Sequence, residues 1–150
     1  MKQLAQYIQE KLHINQYKHQ YNYHPEDKDE LIDLIEKLIK ERGNKADLND
    51  IDVSKINDMF ELFYSLDFNG NISMWDVSNV ENMCQMFMGS KFNGNISKWN
   101  VNKVKDMRWM FEGSKFDGDI SSWNVSNVEH MDNMFRNSPL EKNPPSWYKK

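Results

Sequence analysis

An arginine and a tryptophan stand side by side at positions 108 and 109. A fixed cation beside the largest aromatic side chain is the composition of a protein–protein hot spot, so Arg108 and Trp109 are candidates for partner contact. The other reactive side chains promise less. His13, His19 and His24 fall among Tyr17, Tyr21 and Tyr23 in a polar stretch, where no carboxylate or cysteine completes a ligand spacing. Cys84 is the single cysteine of the chain, so it has no disulfide partner, and no base accompanies it as it would a nucleophile. No glycine-rich phosphate loop and no Ser-His-Asp arrangement is present. The expectation is a protein that is not an enzyme, with no catalytic residue, no metal and no cofactor.

The elements that carry Arg108 and Trp109 are written three times. Residues 68–87 read FNGNISMWDVSNVENMCQMF, and the phrase returns after 24 residues as FNGNISKWNVNKVKDMRWMF and again as FDGDISSWNVSNVEHMDNMF. Trp75, Trp99, Trp123 and Trp147 keep this register, as do Met83, Met107 and Met131, and Phe87, Phe111 and Phe135. A worn earlier copy runs through Leu48, Ile51, Val53, Ile56, Met59 and Phe63. Identical large residues at one period are what mutual stacking demands, so the Trp ladder and the Met-x-x-Met-Phe stripe read as core. Where the copies disagree, the framework leaves a position free to specify a partner. Positions 74, 98 and 122 read Met, Lys, Ser, and positions 88, 112 and 136 read Met, Glu, Arg. Met74, Lys98 and Met88 therefore join Trp109 and Arg108 as the expected partner-binding set. The series Asp76, Asn100 and Asn124, with Asp52 before it, alternates with the inward residues. Such a polar ladder either satisfies backbone groups or lines a carbohydrate or other small-ligand site.

Within each copy, Ile72 to Val77 alternates apolar and polar residues as a short strand does. Asn69-Gly70 before it suits a tight turn with positive φ. Val80, Met83, Met86 and Phe87 then recur as one face of a short helix, with Ser78 and Glu81 as a capping box and Gly89 as its stop. The expected fold class is α/β: a solenoid of strand–short-helix repeats, leucine-rich-repeat-like, with an α-helical N-terminal cap. The expected organisation is a helical cap over 1–46, a repeat solenoid over 47–138, and a Pro-rich C-terminal cap and tail over 139–150. The cap would contain helices over 2–14 and 27–42, the second with early acids, late bases and Gly43 as its stop.

The repeated N-G-[ND]-I-S-x-W-[DN]-V-[SN]-[NK]-V-x-x-M-x-x-M-F, over roughly residues 47–148, resembles the BspA-like leucine-rich-repeat family. Members occur in bacterial surface proteins and in uncharacterised bacterial and bacteriophage proteins, and the surface members are implicated in adhesion to host proteins. The resemblance implies an α/β solenoid with stacked strands. The chain itself is acidic, with a net charge of −4, all of it from residues 47–150, and has no basic footprint for nucleic acid. Its aromatic content of 13% argues against disorder. The start MKQLAQYIQEKL lacks the apolar core of a signal peptide, and no window is apolar enough to span a membrane. A cytoplasmic protein is expected, or a virion-associated one if phage-encoded. The expected function is a non-catalytic module that binds another protein, of unstated oligomeric state.

Overall fold

In the computed structural model, Leu4 and residues 20–149 are described. Asp27 caps the helix α1, Lys28–Arg42: its Oδ1 accepts from Glu30 N at 3.0 Å. Glu30 Oε2 in turn accepts from Glu26 N at 2.9 Å, so the first turn is closed from both sides. Gly43, at φ 86°, ends the helix by donating its N–H to Ile39 O at 2.8 Å. The inward stripe Leu31, Ile35 and Leu38 is buried in one core with the repeats. The histidines His13 and His19 and the helix expected over 2–14 lie outside the described residues, except Leu4, which is exposed.

The expected strand–helix solenoid is not present. Among the described residues there is no strand, only isolated parallel bridges such as Asp58 to Asn82, Asn82 to Asp106 and Asp106 to His130. The other helical element is a short 3-10 turn, Pro139–Glu141. Two physical causes remove the expected strand. Asn71 Oδ1 takes the N–H of Ser73 at 3.1 Å and Asp76 Oδ1 takes that of Ser78 at 3.1 Å, so these amides are withdrawn from any ladder and pairing at Asn71 stops at its single bridge to Asp47. Trp75 N bends back to Ile72 O at 3.2 Å, closing a turn between the two. The expected helix fails for a different reason. Met86, Met88 and Ser90 donate to Met83 O, Gln85 O and Phe87 O, which are three-residue turns. The alternate amides Gln85, Phe87 and Gly89 leave the unit, donating to Arg108 O at 2.9 Å, Met110 O at 2.9 Å and Glu112 O at 2.7 Å. An α-helix would have kept these inside itself.

The repeats are therefore runs of turns joined to one another by backbone hydrogen bonds at the sequence period. Side chains do the rest. Trp75, Trp99 and Trp123 are at most 4% exposed, and each indole donates to a carbonyl of the preceding copy: Leu48 O at 2.9 Å, Ile72 O at 3.1 Å and Ile96 O at 3.1 Å. Phe63, Phe87, Phe111 and Phe135 pile face to face, with centroids 5.4, 5.6 and 5.9 Å apart. Phe68, Phe92 and Phe116 form a second pile at 6.2 Å spacing. Buried aromatics in such offset stacks gain about 0.5–1.5 kcal/mol per pair beyond the area they hide.

Asn69-Gly70 does not make the expected positive-φ turn: the glycines at positive φ are Gly43, Gly89 and Gly113. Gly70 is needed for space instead, because a Cβ there would fall on Ala46 O and the Phe68 ring. No helix among the described residues is long and apolar enough to cross a membrane.

Candidate functional site

Trp109 sits where the backbone turns left-handed, at φ 54°. The same conformation recurs at Glu61, Gln85 and Asn133, one copy apart each time. A second left-handed series runs through Ser65, Gly89, Gly113 and Asn137. Small or flexible residues fill these positions elsewhere, so a half-buried tryptophan is the odd member. Its amide donates to Asp132 O at 3.0 Å, which locks the backbone to the next copy.

Arg108 is less free than its sequence neighbourhood suggests. Its Nε donates to Asp106 Oδ1 at 3.0 Å and to Oδ2 at 3.1 Å, and Nη2 also binds Oδ2. Asp106 Oδ1 further accepts the Arg108 amide at 3.0 Å. Burial pulls the Asp106 carboxyl upward, but the Arg108 donors prevail and hold it below the usual carboxylate range. The guanidinium then lies 5.5 Å from the Trp109 ring centre, a cation–π contact within the chain. One face of Trp109 is thus already supported, and its remaining surface is what a partner can reach. Asp106, which aims this pair, escaped the sequence reading, although Asp106-x-Arg108 is an i, i+2 acid–base pair visible in the sequence.

The other expected contact residues fall in separate columns. Met74 and Lys98, one copy apart, are both exposed, Met74 at 56%. The Met74 amide is held by Asn49 Oδ1 at 2.8 Å. Met88 is half-buried and shares its column with Glu112 and Arg136. Among the described residues no ion pair or ring contact joins Met74, Lys98 or Met88 to the Arg108–Trp109 pair.

The ladder Asp76, Asn100 and Asn124 is exposed, but each Oδ1 is engaged with the chain itself. It accepts the amide two residues on, from Ser78, Asn102 and Ser126, at 3.1 Å in each case. These are Asx turns, the local bonds by which Asp and Asn replace a backbone turn. Asp52 does the same for Ser54 at 3.0 Å.

His24 Nδ1 lies 3.3 Å from Asp52 Oδ2, and no group of three or more metal-ligating side chains exists among the described residues. Cys84 is 6% exposed, and burial, followed by the nearby Asp106, pushes its thiol pKa up, away from the reactive thiolate.

Among protein families, the one described as "Mycoplasma protein of unknown function, DUF285" matches residues 33–147. No curated protein and no solved structure matches the chain.

Proposed function

We propose, from the premise that the chain belongs to this DUF285 repeat family, that it is a non-catalytic protein-binding module whose contact centres on Trp109. The finer kinship with BspA-like repeats, whose surface members are implicated in adhesion, is part of the same proposal. The observation that carries it is the backbone of Trp109. A left-handed conformation costs a bulky residue about 1–2 kcal/mol, and Asn or Gly would sit there with less strain. Strain of this kind clusters at functional positions. Arg108, fixed by Asp106 and laid against the ring, holds the indole in one pose, which lowers the entropy lost on binding. Met74, Lys98 and Met88 belong to the outer part of the contact. The small-ligand alternative along Asp76, Asn100 and Asn124 is weakened by the Asx turns, which occupy one oxygen at each rung.

Trp109→Asn is the test. It suits the left-handed backbone, and that relief of about 1–2 kcal/mol offsets much of the indole burial and cation–π contact given up, so the variant should stay folded with a melting temperature at or modestly below that of the wild type. Capture of native-cell proteins by immobilised wild type, compared with the variant, should lose its specific bands. An identical set of captured proteins would refute the Trp109 contact.

A further inference from the structure

The two ends of the repeat array differ. In the inner copies Val77 and Val101 are 1% exposed, and Val80, Val104, Met83 and Met107 are 0%. The first copy is as well covered, with Val53 at 1%, Ile56 at 2% and Met59 at 0%. Their counterparts in the last copy, Val125, Val128 and Met131, are only half-buried.

The backbone at that end is unfinished in the same place. Met107, Trp109 and Phe111 donate to His130 O at 2.8 Å, Asp132 O at 3.0 Å and Met134 O at 2.9 Å. The matching amides of Met131, Asn133 and Phe135 meet no acceptor among the described residues. Asn137, the next amide in that row, is served by Glu141 Oε2 at 3.0 Å.

The C-terminal turn covers the other half of this end. Trp147 supplies the next rung, donating to Ile120 O at 2.9 Å, with its ring 6.5 Å from Trp123 and 6.1 Å from Phe135. The open amide row lines a cleft together with Glu129, Arg136 and Tyr148.

Charge states which segment would fit. At one step of the stack Lys105 binds Glu81 at 2.8 Å and also feels Glu129, so the sign alternates from copy to copy. At another, Arg136 reaches Glu112 at 3.6 Å. A further layer continues both ladders if it sets a base over Glu129 and an acid over Arg136. Residues 101–115 of this chain, VNKVKDMRWMFEGSK, carry Lys105 and Glu112 at those two steps.

We propose that this end face receives a segment of another protein, folded as the second half of one more repeat phrase, with a basic residue over Glu129 and an acidic one over Arg136. The segment's alternate carbonyls would accept from Met131, Asn133 and Phe135, and its Val and Met side chains would cover Val125, Val128 and Met131. It is the edge-addition mode of peptide recognition, transferred from a strand edge to a row of turns. The site shares no side chain with the Trp109 contact, so either can fail alone.

The test uses the full chain and a synthetic peptide of residues 101–115, read by residue-resolved amide hydrogen exchange. At a peptide concentration about ten times Kd, exchange at Met131, Asn133 and Phe135 should slow about tenfold. Val128→Lys places a charge on the open face and should abolish that protection. Glu129→Lys, an exposed substitution, should weaken it, and a peptide carrying Lys105→Glu should restore it. Unchanged exchange at the three amides, or equal protection in both variants, overturns the site. Slowing spread over the inner copies would mean exchange of segments, and overturns it too. Self-association of the chain without peptide, lost in Val128→Lys, would assign the face to a second copy and overturn the proposed partner.

Discussion

Small residues carry the tightest constraints in this protein. Gly70 has ordinary backbone angles, yet any side chain there collides with Ala46 O, which accepts the Asn71 amide at 2.9 Å between copies. Gly94 is less extreme: its added Cβ would lie 2.7 Å from Phe92 Cε2 and 3.1 Å from Gly70 O. Gly70→Ala should therefore lower stability by about 1–3 kcal/mol, the usual cost of overpacking. Gly94→Ala should cost less, since a ring can shift where a bonded carbonyl cannot. Chemical denaturation of the two variants measures the order. The asparagines and aspartates are equally local. Asn95 Oδ1 takes both the amide and the hydroxyl of Ser97, at 3.0 and 2.7 Å. The Asn-Ile-Ser sequence that resembles a glycosylation site is thereby accounted for as a turn.

At the level of elements, α1 is fastened to the first copy at its last residue. Arg42 donates to Asp50 Oδ1 at 2.9 Å, to Oδ2 at 3.0 Å and to Asp47 O at 2.9 Å. Asn22 Nδ2 adds a further bond to Asp50 at 2.9 Å. The Arg42 hydrogen bonds outweigh burial and hold the Asp50 carboxyl below its ordinary value of 3.8. A folded-state pKa that is lowered stabilises the fold above the unfolded value, and the gain disappears as pH falls through the folded one. Melts of the wild type should therefore lose stability below about pH 4. Asp50→Asn should start about 1 kcal/mol lower at neutral pH, because both partners are partly exposed, and should follow a flatter acid limb. Parallel acid limbs would show that the Arg42–Asp50 bond does not tie α1 down.

For the molecule as a whole, stability is a sum over copy-to-copy interfaces. An interior rung should then matter more than a terminal one. Trp99→Phe removes one of the two donors to Ile72 O, which keeps the Trp75 amide at 3.2 Å, at a cost of about 0.5–1.5 kcal/mol. Trp147→Phe removes the same bond from Ile120 O, but at a part-buried site, and should cost less. Trp99→Ala adds a cavity and should reach about 3–5 kcal/mol. Urea unfolding of the three variants ranks them; equal losses would contradict the nearest-neighbour picture.

The sequence by itself determined the register, the core and the helix α1. The Trp, Met and Phe positions that repeat are the ones that form the core, buried except at the last copy, because identical side chains can meet at one spacing only if the chain returns with that spacing. It also placed Asp27 and Gly43 at the ends of α1, where cap chemistry is local. Only the tertiary structure decided what each copy is made of. The spacing of Val80, Met83, Met86 and Phe87 fits a helix face and a chain of three-residue turns alike. The choice falls to the turns because the amides of Gln85, Phe87 and Gly89 find carbonyls in the next copy. The same long-range bonds fix Trp109 at positive φ and leave Met131, Asn133 and Phe135 as the open edge. A hydrogen-bond partner in the neighbouring copy has no signature in the local sequence, which is why Arg108 and Trp109 could be named as candidates in advance, while the left-handed backbone at Trp109 and its bond to Asp132 O could not.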